Sequence, residues 1–384
     1  MIEFTGMKIR LISGLFVFFL LINPGILFAQ NSGETFLDEE FEELYGDEAP
    51  VKPSVQSEEV RARVTEIIWN NESDSSFQVI FTAQKGEEEF VVDTAASLLE
   101  GMRYSIDVGD EVYLQVLRDA QTGEVLDVYF ADVHRIGSLI WILLAFIVLT
   151  LLIGWLRGFA ALIGLVVTML ILFLFIVPQI LAGANAVFVT VIGAIIILAV
   201  NMHLAHGMNK ATFFAFLSAC AGLLFAYIFG SLFVSFADLS GLAHEESILL
   251  FFHSKEVVVP SGVLLAGIIL GAAGVLDDIA VTQSEAVAEL KRANPGMSRK
   301  ELFTSAMRIG RHHIASTVNT LVLAYAGVAL PLLLLFLMTP EVTFIRFLNE
   351  EPIAEEIVRT LAGTMALMLT VPISTWFATF IQKR

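Results

Sequence analysis

Apolar residues follow two regimes along this chain. Over residues 60–135 they alternate with polar ones, as in the runs 60–64, 77–81, 112–116 and 125–129. A period of two marks strands with one buried face. Turn signals at Asn70–Asn71, Lys85–Gly86, Val108–Asp110 and Thr122–Gly123 separate the runs. The pattern predicts a small all-β domain over 60–135, a barrel of the OB or SH3-like type. From Ile136 onward the alternation gives way to apolar runs that approach or exceed bilayer-spanning length. These predict an α-helical polytopic bundle over 136–384 with seven transmembrane helices, at 138–156, 159–177, 184–205, 211–236, 257–276, 317–338 and 358–381.

The chain ahead of the strands has a different character. Lys8 and Arg10 precede an apolar run over 11–22, then a breaker at Asn23–Gly25 and a cleavable Phe28–Gln30. Residues 1–30 therefore read as a signal peptide, or as an N-terminal anchor. Residues 31–59 hold ten acids against one base, Lys52, and read as an acidic disordered linker.

Composition sharpens this division. Hydrophobic residues make up 56% of the chain and the formal net charge is −18. Residues 136–384 contribute thirteen bases and fourteen acids, so nearly all of the excess lies ahead of the bundle. That acidity excludes a nucleic-acid partner. An exported β domain places the first helix entering from outside. Ten basic residues then fall in inside segments, and three (Lys255, Arg346, Arg359) fall outside. The positive-inside rule agrees with an N-out, C-in protein of the plasma membrane.

Candidate chemistry concentrates in the long inside segment 277–316, expected to be a cytoplasmic helical hairpin. On a helical wheel Gly267, Gly271 and Gly274 share a stripe that Asp278, Glu285 and Glu289 continue, with Asp277 on its flank. The glycines are expected to admit a neighbouring helix closely. Asp277, Asp278 and Glu285 are expected to bind an ion, proton or cationic substrate, because charge at membrane depth is costly; Glu285 and Glu289 read equally as ordinary solvated residues. The plainer reading is that Asp277 and Asp278 mark the water line. A second helix, opened by a Ser298–Glu301 capping box, carries Arg308, His312 and Asn319. Arg308 and His312 are expected to balance the acids, and Asn319 to hydrogen-bond; positive-inside markers and an interhelical amide are the plainer readings.

Other chemistries find no support. The two aspartates are adjacent and splayed by about 100°, unlike an aspartyl protease pair. His203 and His206 lack a third metal ligand. His244, Glu245 and Glu246 do not have zinc-protease spacing. Cys220 is the only cysteine. No catalytic residue, cofactor or metal site is assigned, and the chain is not read as an enzyme.

The runs GVLDDIAVTQSEAVAEL and RIGRHHIASTVNTLVLAYAG resemble the bacterial YibE/F-like family. That resemblance implies a multi-pass membrane protein with an exported N-terminal region, and it carries no catalytic residues. Two functions remain open. One is a permease whose partners are the lipid bilayer and a small ion or polar solute. The other is a membrane sensor or envelope assembly scaffold that binds a ligand or an envelope protein through 60–135. Oligomeric state is not legible.

Overall fold

The computed structural model describes residues 55–73, 76–94, 106–254 and 257–381. The signal segment and most of the acidic linker lie outside them. The chain divides into two units, one spanning Gly25–Leu149 and the other built mainly from Thr150–Arg384.

The first unit is a five-stranded antiparallel sheet: β1 (Val55–Ser73), β2 (Ser76–Lys85), β3 (Glu88–Asp93), β4 (Glu111–Asp119) and β5 (Val125–Val133), in the order β3-β2-β1-β4-β5. All four anticipated strand runs fall within it. Alternation does what the sequence implies: Val60, Ala62 and Val64 on β1 point inward with Phe81, Leu114, Val116 and Phe130. Burying each large apolar side chain contributes roughly 1.5–3 kcal/mol. Three corrections apply. The sheet curls into a half-barrel, and no ladder joins its edges β3 and β5 among the described residues. Val55–Glu59, expected in the linker, already pair with β4. The chain does not turn at Asn70–Asn71; β1 runs on to Ser73 against β2.

One surface cluster fastens β1 to β4. Arg61 and Arg63 both reach the Glu111 carboxylate. The Arg61 guanidinium, more than Arg63, holds that carboxyl below the usual glutamate range.

The second unit is helical. After β5 come α1 (Ile136–Ile171), a π turn (Leu172–Ile176), α2 (Val177–Leu181), α3 (Ala186–His206), α4 (Lys210–Phe236), α5 (Glu245–His253), α6 (Pro260–Ala293), α7 (Arg299–Val328), α8 (Leu330–Met338), α9 (Phe344–Leu348) and α10 (Glu351–Ile381). Side-chain caps open several of them. The Asn185 and Asn209 carboxamides accept from the backbone N–H groups of Phe188 and Thr212. Ser298 and Glu301 form the anticipated capping box. Among the described residues five helices, or six counting the α7–α8 pair bent by 61°, can cross a membrane by length and composition. Seven were expected. The difference lies in the first stretch, where residues 136–181 form one helical run broken at Trp155, whose backbone is left-handed at φ 49°.

Helix α6 is the post around which α3, α4, α7 and α10 assemble. Its Leu265, Ile269, Ala272, Ala273 and Leu276 pack with Ala194 of α3, Leu223 and Ala226 of α4 and Ala366 of α10. Lipid gives apolar helices little reason to associate, so packing between small residues carries the assembly. The close approaches are at Gly222, Gly230 and Gly310. A Cβ on Gly222 would collide with the Thr370 hydroxyl and come within 2.7 Å of Leu276; one on Gly230 would come within 2.7 Å of Leu265. The expected stripe behaves otherwise. A Cβ on Gly267 or Gly274 would meet nothing within 4 Å, and one on Gly271 only the Tyr325 hydroxyl, at 3.3 Å. Among the described residues no helix packs closely on the stripe, because the covered faces of α6 are those bearing Leu276 and Ile279.

Two outcomes follow. Gly222→Ala is expected to lower the melting temperature of the detergent-purified chain, with overpacking costing about 1–3 kcal/mol. Gly267→Ala is expected to leave it unchanged or raise it, since alanine favours the helix by up to about 1 kcal/mol; equal losses in both would contradict the packing described. In the β unit, a lowered carboxyl pKa means stability is fully present above the ordinary glutamate value and is lost as pH falls through the folded value. Glu111→Gln should therefore flatten the acid-side decline of the first calorimetric transition of the full chain, and an unaltered decline would remove this ion cluster from the account.

Candidate functional site

The uncovered side of α6 is a continuous exposed stripe of Gly267, Gly271, Gly274, Asp278, Thr282, Glu285 and Glu289. Residues three and four apart share a face, and here that face changes from glycine to carboxylate at Asp278. Asp278 lies eighteen residues into α6, about 27 Å along its axis. This is close to the full thickness of a hydrocarbon core.

Around that transition lies a cavity of about 420 Å³ lined by Gly274, Asp277, Asp278, Val281, Thr282 and Glu285, with His206 from the last turn of α3. Asp277 is half-buried in it, and Asp278 is exposed. The Thr282 hydroxyl lies 3.4 Å from Asp278 Oδ1 and donates toward it. His206 is within electrostatic reach of both Glu285 and Arg157. The concavity thus holds three carboxylates and one imidazole, with two guanidinium groups nearby, Arg157 and Arg292. That donor set can bind a proton, an ammonium-like group or a hydrated cation.

The opposite wall differs from the expectation. Arg308, His312 and Asn319 are exposed, and none lines the cavity. Helix α7 meets α6 at Ala306 and Gly310, both buried. Arg308 is two residues from Ala306 and from Gly310, about 200° round the helix, and so faces away. The α7 contact is instead made by Gln283, 2% exposed, whose Nε2 donates to the Ala306 carbonyl at 2.9 Å. Counter-charge at the acids comes instead from Arg292 of α6 itself, 3.7 Å from Glu285 and 2.8 Å from Glu289, with His206 of α3 and Arg157 nearby. Sequence reasoning set His206 aside for want of a third metal ligand. The available signal was its place in the final turn of a membrane helix, level with the acidic end of another.

His203 does not join His206 in the cavity. Its Nδ1 lies 2.7 Å from the Ala199 carbonyl and its ring meets Phe216 edge-on. Asn201 serves packing, donating to Thr168 Oγ1 at 3.1 Å. Among the described residues no three His, Cys, Asp or Glu side chains are placed to hold a metal ion.

A second polar group, at the opposite end of α6, escaped the sequence reading. Glu355 and Glu356 in the first turns of α10 are accompanied by Arg359, one turn on, and by His244 ahead of α5. The signal was present as two acids and a base within four residues of an apolar run.

A family model described as YibE/F-like protein matches residues 142–384. No curated protein and no solved structure matches the chain.

The corrected pairing has a direct check. In a Cys220→Ser background, His206→Cys with Glu285→Cys should be bridged by a short bifunctional maleimide, whereas His312→Cys with Glu285→Cys should not. The reverse result would restore the α6–α7 site.

Proposed function

The chain belongs to the YibE/F-like protein family, and on that premise we propose that it is a permease-like protein of the bacterial plasma membrane that binds a proton or small cation at the Asp277–Asp278–His206 cavity. The observation that carries this reading is the half-buried Asp277 in a concave, mixed-charge site at the hydrocarbon edge. Ionisable groups at such depth are retained where they bind or relay charge. Asp277 takes the cation or proton, Asp278 and Glu285 attract it from water, and His206 and Arg157 limit the negative charge the empty site must carry. Arg308, His312 and Asn319 have no part in this version.

Seven crossings suit the bundle better than six. A straight helix over residues 136–181 would extend about 69 Å, more than twice a hydrocarbon core. A Cβ on Gly158 would collide with the Thr150 carbonyl, although eight residues of straight helix would hold the two about 12 Å apart. The chain therefore folds back at Trp155. Seven crossings with the β unit outside put Arg157, His206, Asp277 and Glu285 together on the cytoplasmic side, as the basic residues favour.

The test is flux in liposomes holding the full-length protein, with protons, sodium, potassium and small ammonium compounds tried in turn. One of these should move. Asp277→Asn should slow it by at least about tenfold, the equivalent of one charge-assisted contact, and Arg308→Gln should leave it within about twofold of wild type. Full flux in the Asp277→Asn, Asp278→Asn double variant would sink the proposal.

A further inference from the structure

The cavity uses one end of α6, and the polar cluster at the other end remains to be explained. Glu355 is 2% exposed, yet one of its oxygens, Oε1, has no hydrogen-bond partner; the other lies 3.8 Å from His244 Nε2. Beside it Arg359 and Glu356 pair at 3.1 Å, and each keeps a buried atom without a partner, Arg359 Nε and Glu356 Oε2. Glu351, one turn before, is committed elsewhere. It accepts the backbone N–H groups of Ser240 and Gly241 at 2.5 and 3.2 Å. Gly241 can offer its N–H because its φ of 79° and its backbone approach to Pro260 leave no room for a side chain.

The charged and titratable groups around Glu355 are therefore few. His244 faces it from the loop before α5. Glu351, Glu356 and Arg359 act on it from α10. Tyr325 of α7 stands near Glu356 and Arg359. Helices α4 and α6 bring apolar side chains to this end of the bundle, Phe233, Val234, Leu264 and Ile268. Arg359 pairs with Glu356, so among the described residues the base in ion-pair distance of the Glu355 carboxylate is His244. A buried carboxylate so placed sheds its charge by taking a proton.

We infer that Glu355 is a proton-binding site, loaded from solvent through His244, at the end of the bundle opposite Asp277. His244 is 43% exposed and Glu355 is buried, so the pair connects water to the interior. In the loading step the Nε2–H bond of the imidazolium breaks and an O–H bond forms at Glu355 Oε2. The electron pair left behind makes the imidazole neutral, both charges vanish, and the ring takes its next proton from hydronium. Tyr325 links this end to the other, because its hydroxyl rests over Gly271 on the same face of α6 that carries Asp278. Coupling of this proton to movement at Asp277 rests on the permease reading; the protonation of Glu355 does not.

The test is infrared difference spectroscopy of the full-length protein in lipid nanodiscs, titrated from alkaline to acid pH. A protonated carboxylic acid band should grow in and be missing from Glu355→Gln. His244→Gln should move its midpoint to higher pH by about one pH unit, since removing a nearby positive charge makes the acid weaker. An identical difference spectrum in Glu355→Gln overturns the assignment. Where that variant does not fold, an unmoved midpoint in His244→Gln, at the exposed edge, overturns it equally. Asp277→Asn should keep the band attributed to Glu355. Loss of flux in wild type with the band intact would therefore count against the permease alone.

Discussion

Helix α6 needs neighbours to hold it in the bundle, and they cover some of its faces and leave one open. Leu276 presses against Gly222, Leu265 against Gly230, and Gln283 against Gly310. These approaches depend on the neighbour lacking a side chain, because apolar contact in lipid offers no solvent-driven reward. Once α3, α4, α7 and α10 are seated, the stripe from Gly267 to Glu289 stays exposed, together with the C-terminal end of the helix at Arg292 and Ala293. The acids sit there because no packed face would tolerate them.

Much of this was legible from the sequence. Alternation located four of the five strands, and apolar run length located the helices. The capping box at Ser298 marked the return of the hairpin, and the wheel of α6 grouped the residues of the stripe, though as a face expected to be packed. What periodicity cannot give is the identity of the element opposite. Asp278 and Arg308 lie on consecutive helices, and proximity in sequence made them look like partners. The structure pairs the acidic end with α3 instead, because Ala306 and Gly310 offer α7 a smoother contact than Arg308 does. Likewise a stripe of glycines reads equally as a packing groove or as an open channel wall. The deciding fact is where the bulky residues of neighbouring helices point, as at Gly222.

The strand domain failed differently. The alternation was correct, but closure depends on register and curvature, which a period of two does not encode. The register begins at Val55, inside a stretch whose acidity resembled a linker. The Glu355 cluster was missed because Arg359 was counted only as an outside charge. In the fold it is the ion-pair partner of Glu356, and the remaining buried atoms of the pair have no protein hydrogen-bond partner. Charge that looks like a helix boundary in sequence can be interior once the helix begins a turn earlier.

The central claim is that the open face of α6 is wet at Asp278 and Gly274 and not simply bathed in lipid. It is tested most directly by placing single cysteines along α6 in a Cys220→Ser protein and measuring their reaction with a membrane-impermeant, water-soluble thiol reagent applied from each side of sealed vesicles. The account predicts fast labelling at 278 and 274 from the cytoplasmic side and none at Ala272 or Ala273. If 274 and 278 are as inert as Ala273, or react only with a lipid-soluble reagent, the cavity is not an aqueous site.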